Sequence, residues 1–211
     1  MKKFLYIYCY GVVFLLVGGR APNVAADVLT IETGPQCQGT SLSIEVIPGD
    51  QWVQSVRVLF VTIRTAPQLV IWSEDRHGQF LDTLFITRKM ATQRWGQDAD
   101  PQTLLYPEAL PSWMFRRAAQ GVPCPTRDHP MPDAITAATP KRPFRVSTRV
   151  CSEQPQIVIL LEVNMSLDFN AVYTVNAPAG TQASNKRSGQ PALVYRADVD
   201  LQRPGRYEMR L

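Results

Sequence analysis

One segment of the chain alternates apolar and polar residues for longer than any other. From Ile157 to Asn170 every odd position is apolar, and from Glu162 onward every even position is polar. Successive side chains of a β-strand point to opposite faces of a sheet, whereas a helix repeats about every 3.6 residues. The pattern therefore predicts a long strand with one face in a core and the other in water.

Shorter runs of similar character precede and follow this segment. The predicted strands are 28–32, 42–46, 56–63, 69–72, 79–87, 144–150, 192–201 and 206–211. Gly78 lies in a polar turn between two of them, and Pro204 and Gly205 form another turn. About nine strands with hairpin-like connections predict a single all-β domain, an antiparallel β-sandwich that is immunoglobulin-like in general architecture.

Two of the predicted strands carry expectations about burial. In 42–46 the residues alternate, so we expect Ser43 and Glu45 to point outward. The run 56–63 is richer in apolar residues, and it is interpreted as one more deeply buried strand.

A long proline-rich segment, about 89–143, interrupts the strands. Its prolines break every longer element, and one short helix is predicted near 112–119, with Ser112 as its N-terminal cap. A break of this length is either a functional loop or structure packed on the sheet. We expect packing, because Trp95, Trp113 and Phe115 need burial.

The N-terminus has the order of a secretory signal peptide. Lys2 and Lys3 precede an apolar run over 4–17, and Val24-Ala25-Ala26 offers small residues for cleavage. The run is shorter than a membrane span needs, although an uncleaved anchor is the alternative. The sequence thus predicts a signal peptide over 1–26 and one domain over 27–211. The location is then periplasmic or secreted, and the processed chain does not span a membrane.

Cleavage also changes the charge of the chain. The full sequence has 22 basic and 18 acidic residues and a net charge of +4. Without Lys2, Lys3 and Arg20 the basic residues number 19 and the net charge is +1. A nearly neutral domain without a basic run has no electrostatic footprint for nucleic acid, so no nucleic-acid partner is expected.

Three cysteines remain after cleavage. These are Cys37, Cys124 and Cys151. An oxidising compartment favours one disulfide and one free thiol from an odd number. Cys151 could pair with Cys124 or with Cys37, and the sequence leaves both pairings open.

The alternating segment also offers oxygen ligands for a hard cation. Glu162, Asn164, Ser166, Asp168 and Asn170 lie on one predicted strand face. Eight residues of extended chain span roughly 26 Å, whereas calcium holds its oxygens within about 2.6 Å. The interpretation favoured is therefore a solvated strand face, with Glu162, Asn164, Asp168 and Asn170 kept as weak metal-ligand candidates.

Nucleophilic chemistry has one weak candidate. Cys124 and His129 lie in the same proline-rich loop, and a thiol beside an imidazole is a possible nucleophile pair. His77 and His129 are the only histidines, which excludes a histidine-rich metal site within the chain. No nucleophile elbow, phosphate-binding glycine loop or dinucleotide fingerprint occurs, so no catalytic residue is assigned.

Three short motifs resemble an uncharacterised bacterial family of predicted periplasmic proteins. They are an apolar strand with an acidic turn over 69–84, Leu110-Pro111-Ser112-Trp113, and 133–140, which has an Asp-x-x-Ser/Thr-x-Ala-Thr pattern. The resemblance covers about 65–211, and the Cys124 loop is an insertion relative to it. It implies a small periplasmic β-sandwich associated with a membrane flavin or haem redox protein. It implies no catalytic residues.

Two hypotheses about function follow. The first is an exported, non-catalytic accessory or binding module whose partner is an inner-membrane redox protein. The second is an enzyme or carrier that binds a metal or cofactor at the Cys124–His129 loop or the 162–170 strand face. The final predicted strand reaches Leu211 without a turn or tail, which is typical of a chain that continues further.

Overall fold

The structure is a computed structural model. It describes residues 5–8, 13–16, 28–34, 39–58, 60–95, 106–174, 176 and 188–211. Within them the chain forms thirteen strands and two α-helices, with short 3-10 turns at Pro107–Ala109 and Asp133–Ile135. In chain order the elements are β1 (Leu5–Tyr8), β2 (Val13–Leu16), β3 (Leu29–Glu32), β4 (Thr40–Ile47), β5 (Gln54–Val58), β6 (Val61–Thr65), β7 (Gln68–Glu74), β8 (Phe80–Thr87), α1 (Arg88–Thr92), α2 (Pro111–Ala119), β9 (Thr136–Ala137), β10 (Phe144–Val150), β11 (Gln156–Asn164), β12 (Leu193–Asp200) and β13 (Arg206–Met209).

The strands form two packed sheets and a separate hairpin. One sheet has the order β1-β13-β2-β4-β10-β3, and the other has the order β12-β11-β7-β8-β9. Most neighbours are antiparallel, whereas β3–β10, β8–β9, β1–β4 and β1–β13 are parallel. Among the described strands, β5 and β6 pair only with each other. The predicted all-β sandwich with a long irregular insertion is confirmed.

The main core lies between the two sheets. Phe144 and Val146 on β10 face Leu161 and Ile159 on β11 across this space, and all four are buried. The core is built mostly from the apolar members of the period-two patterns, which explains why the sequence predicted the sheets well.

A second core lies on the outer face of the five-stranded sheet. Trp72, Val158 and Leu160 pack there against α1 and α2, together with Trp113 and Met114. The described parts of the proline-rich segment, 89–95 and 106–143, thus pack on the sheet as expected, and Trp113 is fully buried. The five-stranded sheet is covered on both faces, so the sandwich carries a third, helical layer.

The expected burial of Phe115 is wrong. Trp113 and Arg117 lie one turn apart on the inner face of α2, whereas Phe115 falls on the opposite face. Its side chain is 68% exposed. Trp95 is half-buried and meets Tyr106 edge-on, with ring centroids 5.0 Å apart.

The predicted buried strand 56–63 is also wrong. The chain turns back within it, so that β5 and β6 form a hairpin in which Val58 pairs with Val61. β6 is exposed along nearly its whole length. An apolar run alone cannot distinguish one buried strand from two short exposed ones.

Five side chains predicted to face water are buried instead. They are Ser43 and Glu45 on β4, Glu162 and Asn164 on β11, and Asp168 in the segment after β11. Arg145 lies opposite Glu45, with 3.7 Å between Nη2 and Oε2. Glu162 is buried because the helical layer covers the face that the sequence pattern assigned to solvent. The predicted strand to Asn170 is also too long, since β11 ends at Asn164.

The two N-terminal strands lie inside the predicted signal peptide. β1 and β2 pair with each other and with β4 and β13. Cleavage after Ala26, a position outside the described residues, would remove these partners, and it stays a prediction. No helix in the described part of the chain is long and apolar enough to cross a membrane.

Candidate functional site

Three buried polar side chains, those of Thr83, Arg117 and Glu162, lie at the junction between α2 and the five-stranded sheet. We call it the helix–sheet junction and define it by Thr83, Trp113, Arg117, Cys124 and Glu162. Thr83 comes from β8 and Glu162 from β11, while the other three belong to α2 and the loop that follows it.

Glu162 holds the beginning of α2. Its side chain is 0% exposed, and its two carboxylate oxygens accept hydrogen bonds from the backbone N–H groups of Ser112 and Trp113, each at 2.9 Å. The predicted N-terminal cap, Ser112, is wrong, because the N-cap residue is Leu110 and it makes no side-chain cap hydrogen bond. Glu162 caps the helix instead. Burial raises the pKa of Glu162 above its ordinary value of 4.5, while the two N–H groups oppose this rise.

Arg117 places a guanidinium group between two aromatic rings. Its Cζ lies 5.0 Å from the Trp113 ring centroid and 5.4 Å from that of Phe80. Nη2 donates to the carbonyl of Pro123 at 2.7 Å, and Nη1 donates to Thr83 Oγ1 at 3.3 Å. Burial lowers the pKa of Arg117. These contacts pin the loop after α2 to the sheet.

Cys124 is the free thiol of this junction. Burial raises its pKa above the ordinary 9.0, and the nearby positive charge of Arg117 opposes the rise. A raised pKa leaves little thiolate at neutral pH, which makes the group a poor nucleophile. His129 is exposed and its backbone N–H donates to Thr126 Oγ1 at 3.0 Å, so His129 serves a local turn.

The free state of Cys124 excludes one of the two predicted disulfide pairings, that of Cys124 with Cys151. Cys151 is disulfide-bonded, and Cys124 is not its partner. The alternative partner, Cys37, lies outside the described residues.

The other oxygen ligands predicted from the alternating segment do not converge. Asn164 Nδ2 donates to the carbonyl of Glu108 at 3.0 Å. Asp168 accepts from the N–H groups of Gly189 and Gln190 at 2.7 and 3.3 Å. Asn170 accepts from two N–H groups in its own turn. The chain leaves the strand after Asn164, and each side chain therefore holds a different backbone segment.

Metal ligands are not grouped in the described part of the chain. No three His, Cys, Asp or Glu residues there are close enough to hold one ion. The weak candidates Glu162, Asn164, Asp168 and Asn170 thus have structural partners, and the structure adds no further ligand beside them.

A second polar cluster ties α2 to the β7–β8 turn. Glu74 accepts from Trp72 Nε1 at 2.8 Å and pairs with Arg116 Nε at 3.3 Å. Arg116 Nη1 also donates to the carbonyl of Gly78 at 3.3 Å, and Gly78 has the positive φ of 80° predicted for this turn. The acidic turn that carried the family resemblance is thus the docking point for the helix.

Sequence reasoning missed the partners of these groups rather than the groups themselves. Arg117 and Trp113 are four residues apart, a spacing that puts both on one helix face. That signal could have indicated a stacked pair. Nothing in the local sequence indicates that Glu162, about fifty residues away, caps α2.

The β5–β6 hairpin carries three exposed apolar side chains among the described residues. Phe60 at its tip is 94% exposed, and Val61 and Ile63 on β6 are 63% and 43% exposed. Single exposed apolar residues are ordinary, but three on one short hairpin form an apolar surface of the kind that binds a protein or a membrane.

Comparison with known proteins adds no relative. No protein-family model matches the chain, and no curated protein or solved structure matches it. The resemblance to the periplasmic family stays a prediction.

Proposed function

We propose that the chain is an exported β-sandwich protein that acts as a non-catalytic accessory or binding module. The observation that carries this proposal is the use of Glu162. Glu162 is the most deeply buried carboxylate of the predicted ligand set, and each of its oxygens accepts a hydrogen bond from a backbone N–H at the beginning of α2. A carboxylate that is fully buried and held in this way is a structural group, since no part of it is open to a substrate or ion from solvent.

The other candidate groups support the same proposal. Cys124 is kept protonated by burial, and Asp168 binds the backbone of 189–190. The exposed hairpin supplies a surface for binding. On the family resemblance, we propose that the partner is an inner-membrane flavin or haem redox protein and that the location is periplasmic.

Mass spectrometry of the exported protein tests the non-catalytic part of the proposal. Native and denaturing spectra should give the same mass, that of a chain beginning at Asp27 with one disulfide. A mass that is present only under native conditions would identify a bound ion or cofactor and would favour the alternative, an enzyme or carrier using the Cys124–His129 loop or the 162–170 segment. Loss of that mass in Asp168→Ala, but not in Asp133→Ala, would locate the site.

Co-purification tests the partner. A tagged chain captured from detergent-solubilised membranes should bring with it the visible absorption of a flavin or haem. An eluate without either absorption, from membranes that contain both, would contradict a redox partner while leaving the binding-module proposal to its other tests.

A further inference from the structure

The β5–β6 hairpin combines an apolar tip with positive charge. Between Asp50 and Glu74 the sequence has no acidic residue, while Arg57 and Arg64 lie on the two strands of the hairpin. Val58 and Val61 pair next to the tip, and Arg57 pairs with Thr62. The hairpin therefore carries a net positive charge just behind its apolar end.

Both ends of the hairpin are fastened to one segment of the insertion. Before β5, Trp52 Nε1 donates to the carbonyl of Pro140 at 2.7 Å. After β6, the carbonyl of Pro67 accepts from Thr139 Oγ1 at 2.7 Å. Trp52 itself is buried and packs on Phe144, with ring centroids 6.4 Å apart. The hairpin thus projects from a fixed base.

The same segment adds positive charge at that base. Lys141 and Arg142 directly follow Pro140, and both are exposed. From tip to base the order is therefore apolar residues, then Arg57 and Arg64, then Lys141 and Arg142. This order is complementary to an anionic lipid surface, where an apolar interior lies beneath negatively charged headgroups.

The dimensions agree with insertion of the tip alone. Arg64 on β6 is four residues from Phe60, which is at most roughly 13 Å of extended chain. Interfacial segments bury their apolar side about 5–10 Å into the boundary between headgroups and acyl chains. With Phe60 at that depth, the exposed side chain of Arg64 can reach the level of the lipid phosphates, which guanidinium groups bind.

We propose that the β5–β6 hairpin docks the protein on a bilayer of anionic phospholipid by inserting its tip. The inference rests on the export contained in the proposed function, because export brings the chain to such a surface. It does not depend on the redox partner. Tip insertion would hold the accessory module beside an inner-membrane protein without a spanning segment.

Vesicle co-sedimentation of the exported full chain tests this proposal. The wild-type protein should sediment with vesicles of phosphatidylethanolamine and phosphatidylglycerol, and should bind vesicles of phosphatidylcholine much more weakly. Phe60→Ser should weaken binding about tenfold or more, because the largest buried apolar group is lost. Arg64→Gln should weaken it a few-fold and reduce its dependence on salt.

Phe115→Ser is the matched control. Phe115 is also an exposed phenylalanine, but it lies on α2 rather than on the hairpin. Its loss should leave vesicle binding unchanged, and all variants carry the same N-terminus, verified by mass. Phe60 is exposed, so a folding defect is not expected, and thermal unfolding checks this.

Three results would overturn the proposal. The wild-type chain could stay in solution when anionic vesicles sediment, which would indicate that the hairpin binds a protein instead of a lipid bilayer. Phe60→Ser could bind as well as wild type, or Phe115→Ser could lose as much binding as Phe60→Ser. Because no redox protein is present, failure here is distinguishable from failure to capture a flavin or haem protein from membranes.

Discussion

At the scale of single residues, two buried ionisable side chains hold α2 and the loop that follows it. Glu162 accepts the first N–H groups of α2, and Arg117 closes the loop that follows the helix. Burial disfavours the charged form of both groups, because it lowers the pKa of Arg117 and raises that of Glu162. Such groups add little net stability when paired, but removing one partner leaves the other unsatisfied and is costly.

Replacing Glu162 with Gln tests this role. The glutamine amide keeps one acceptor oxygen, which can bond the backbone N–H of either Ser112 or Trp113. Its Nε2 group then faces the other N–H group, and no hydrogen bond forms there because both groups are donors. We expect the free energy of unfolding at neutral pH to fall by about 1–3 kcal/mol, the cost of one unsatisfied buried group. Urea unfolding measures it.

Glu153→Gln is the control for this substitution. Glu153 is exposed on the turn before β11, so its change should stay within about 0.5 kcal/mol. Equal effects of the two substitutions would contradict a special role for Glu162.

At the scale of elements, the sequence predicted strands well and their surroundings poorly. The strand 144–150 and the turn at Gly78 are as expected, because alternation and turn chemistry are local signals. Burial of Glu162 was not predictable, since it depends on a helical layer that packs from elsewhere in the chain. The hairpin inside 56–63 was missed because it lacks the usual turn residues, glycine or asparagine.

The end of β10 allows a prediction about the disulfide. Thr33 donates its N–H to the carbonyl of Ser147 at 2.8 Å, and Thr40 pairs with Val150. In the sequence, Cys37 lies between Thr33 and Thr40, and both of these residues bond to β10, which ends directly before Cys151. We therefore expect Cys37 to be the partner of Cys151.

Peptide mapping without reductant measures this pairing. It should yield a linked pair of peptides containing Cys37 and Cys151, and an alkylatable Cys124 after unfolding. Cys37→Ser should destabilise the protein by about 2–5 kcal/mol, whereas Cys124→Ser loses no cross-link. A linked peptide containing Cys124 would contradict the prediction.

At the scale of the whole molecule, the five-stranded sheet is buried on both faces. Its inner face meets the six-stranded sheet, and its outer face meets α1 and α2. Polar groups on the middle strands therefore end between layers, where water cannot solvate them. Glu162 on β11 shows the result, since burial raises its pKa. Desolvation also raises the pKa of Glu45 on β4 of the other sheet and that of the exposed Asp82 on β8.

These raised pKa values set the direction of a pH dependence. A carboxyl group whose pKa is higher in the folded state binds its proton more tightly there than in the unfolded chain. Its contribution to stability is complete below the ordinary values of 3.8 for Asp82 and 4.5 for Glu45 and Glu162. The contribution is lost as the pH rises through the folded-state pKa. Asp75 has a lowered pKa, because the N–H of Gln79 bonds its carboxylate, and its contribution is lost in acid instead.

Comparing wild type with Glu162→Gln isolates one of these groups. Asp75, Glu45 and Asp82 titrate in both proteins, so their effects cancel in the difference between the two free energies of unfolding. Only wild type must ionise a carboxyl group at position 162. The destabilisation caused by the substitution should therefore be largest below pH 4.5 and should shrink as the pH rises. Urea unfolding across this range measures it, and a difference that grows with pH would mean that the two N–H groups of α2 outweigh burial.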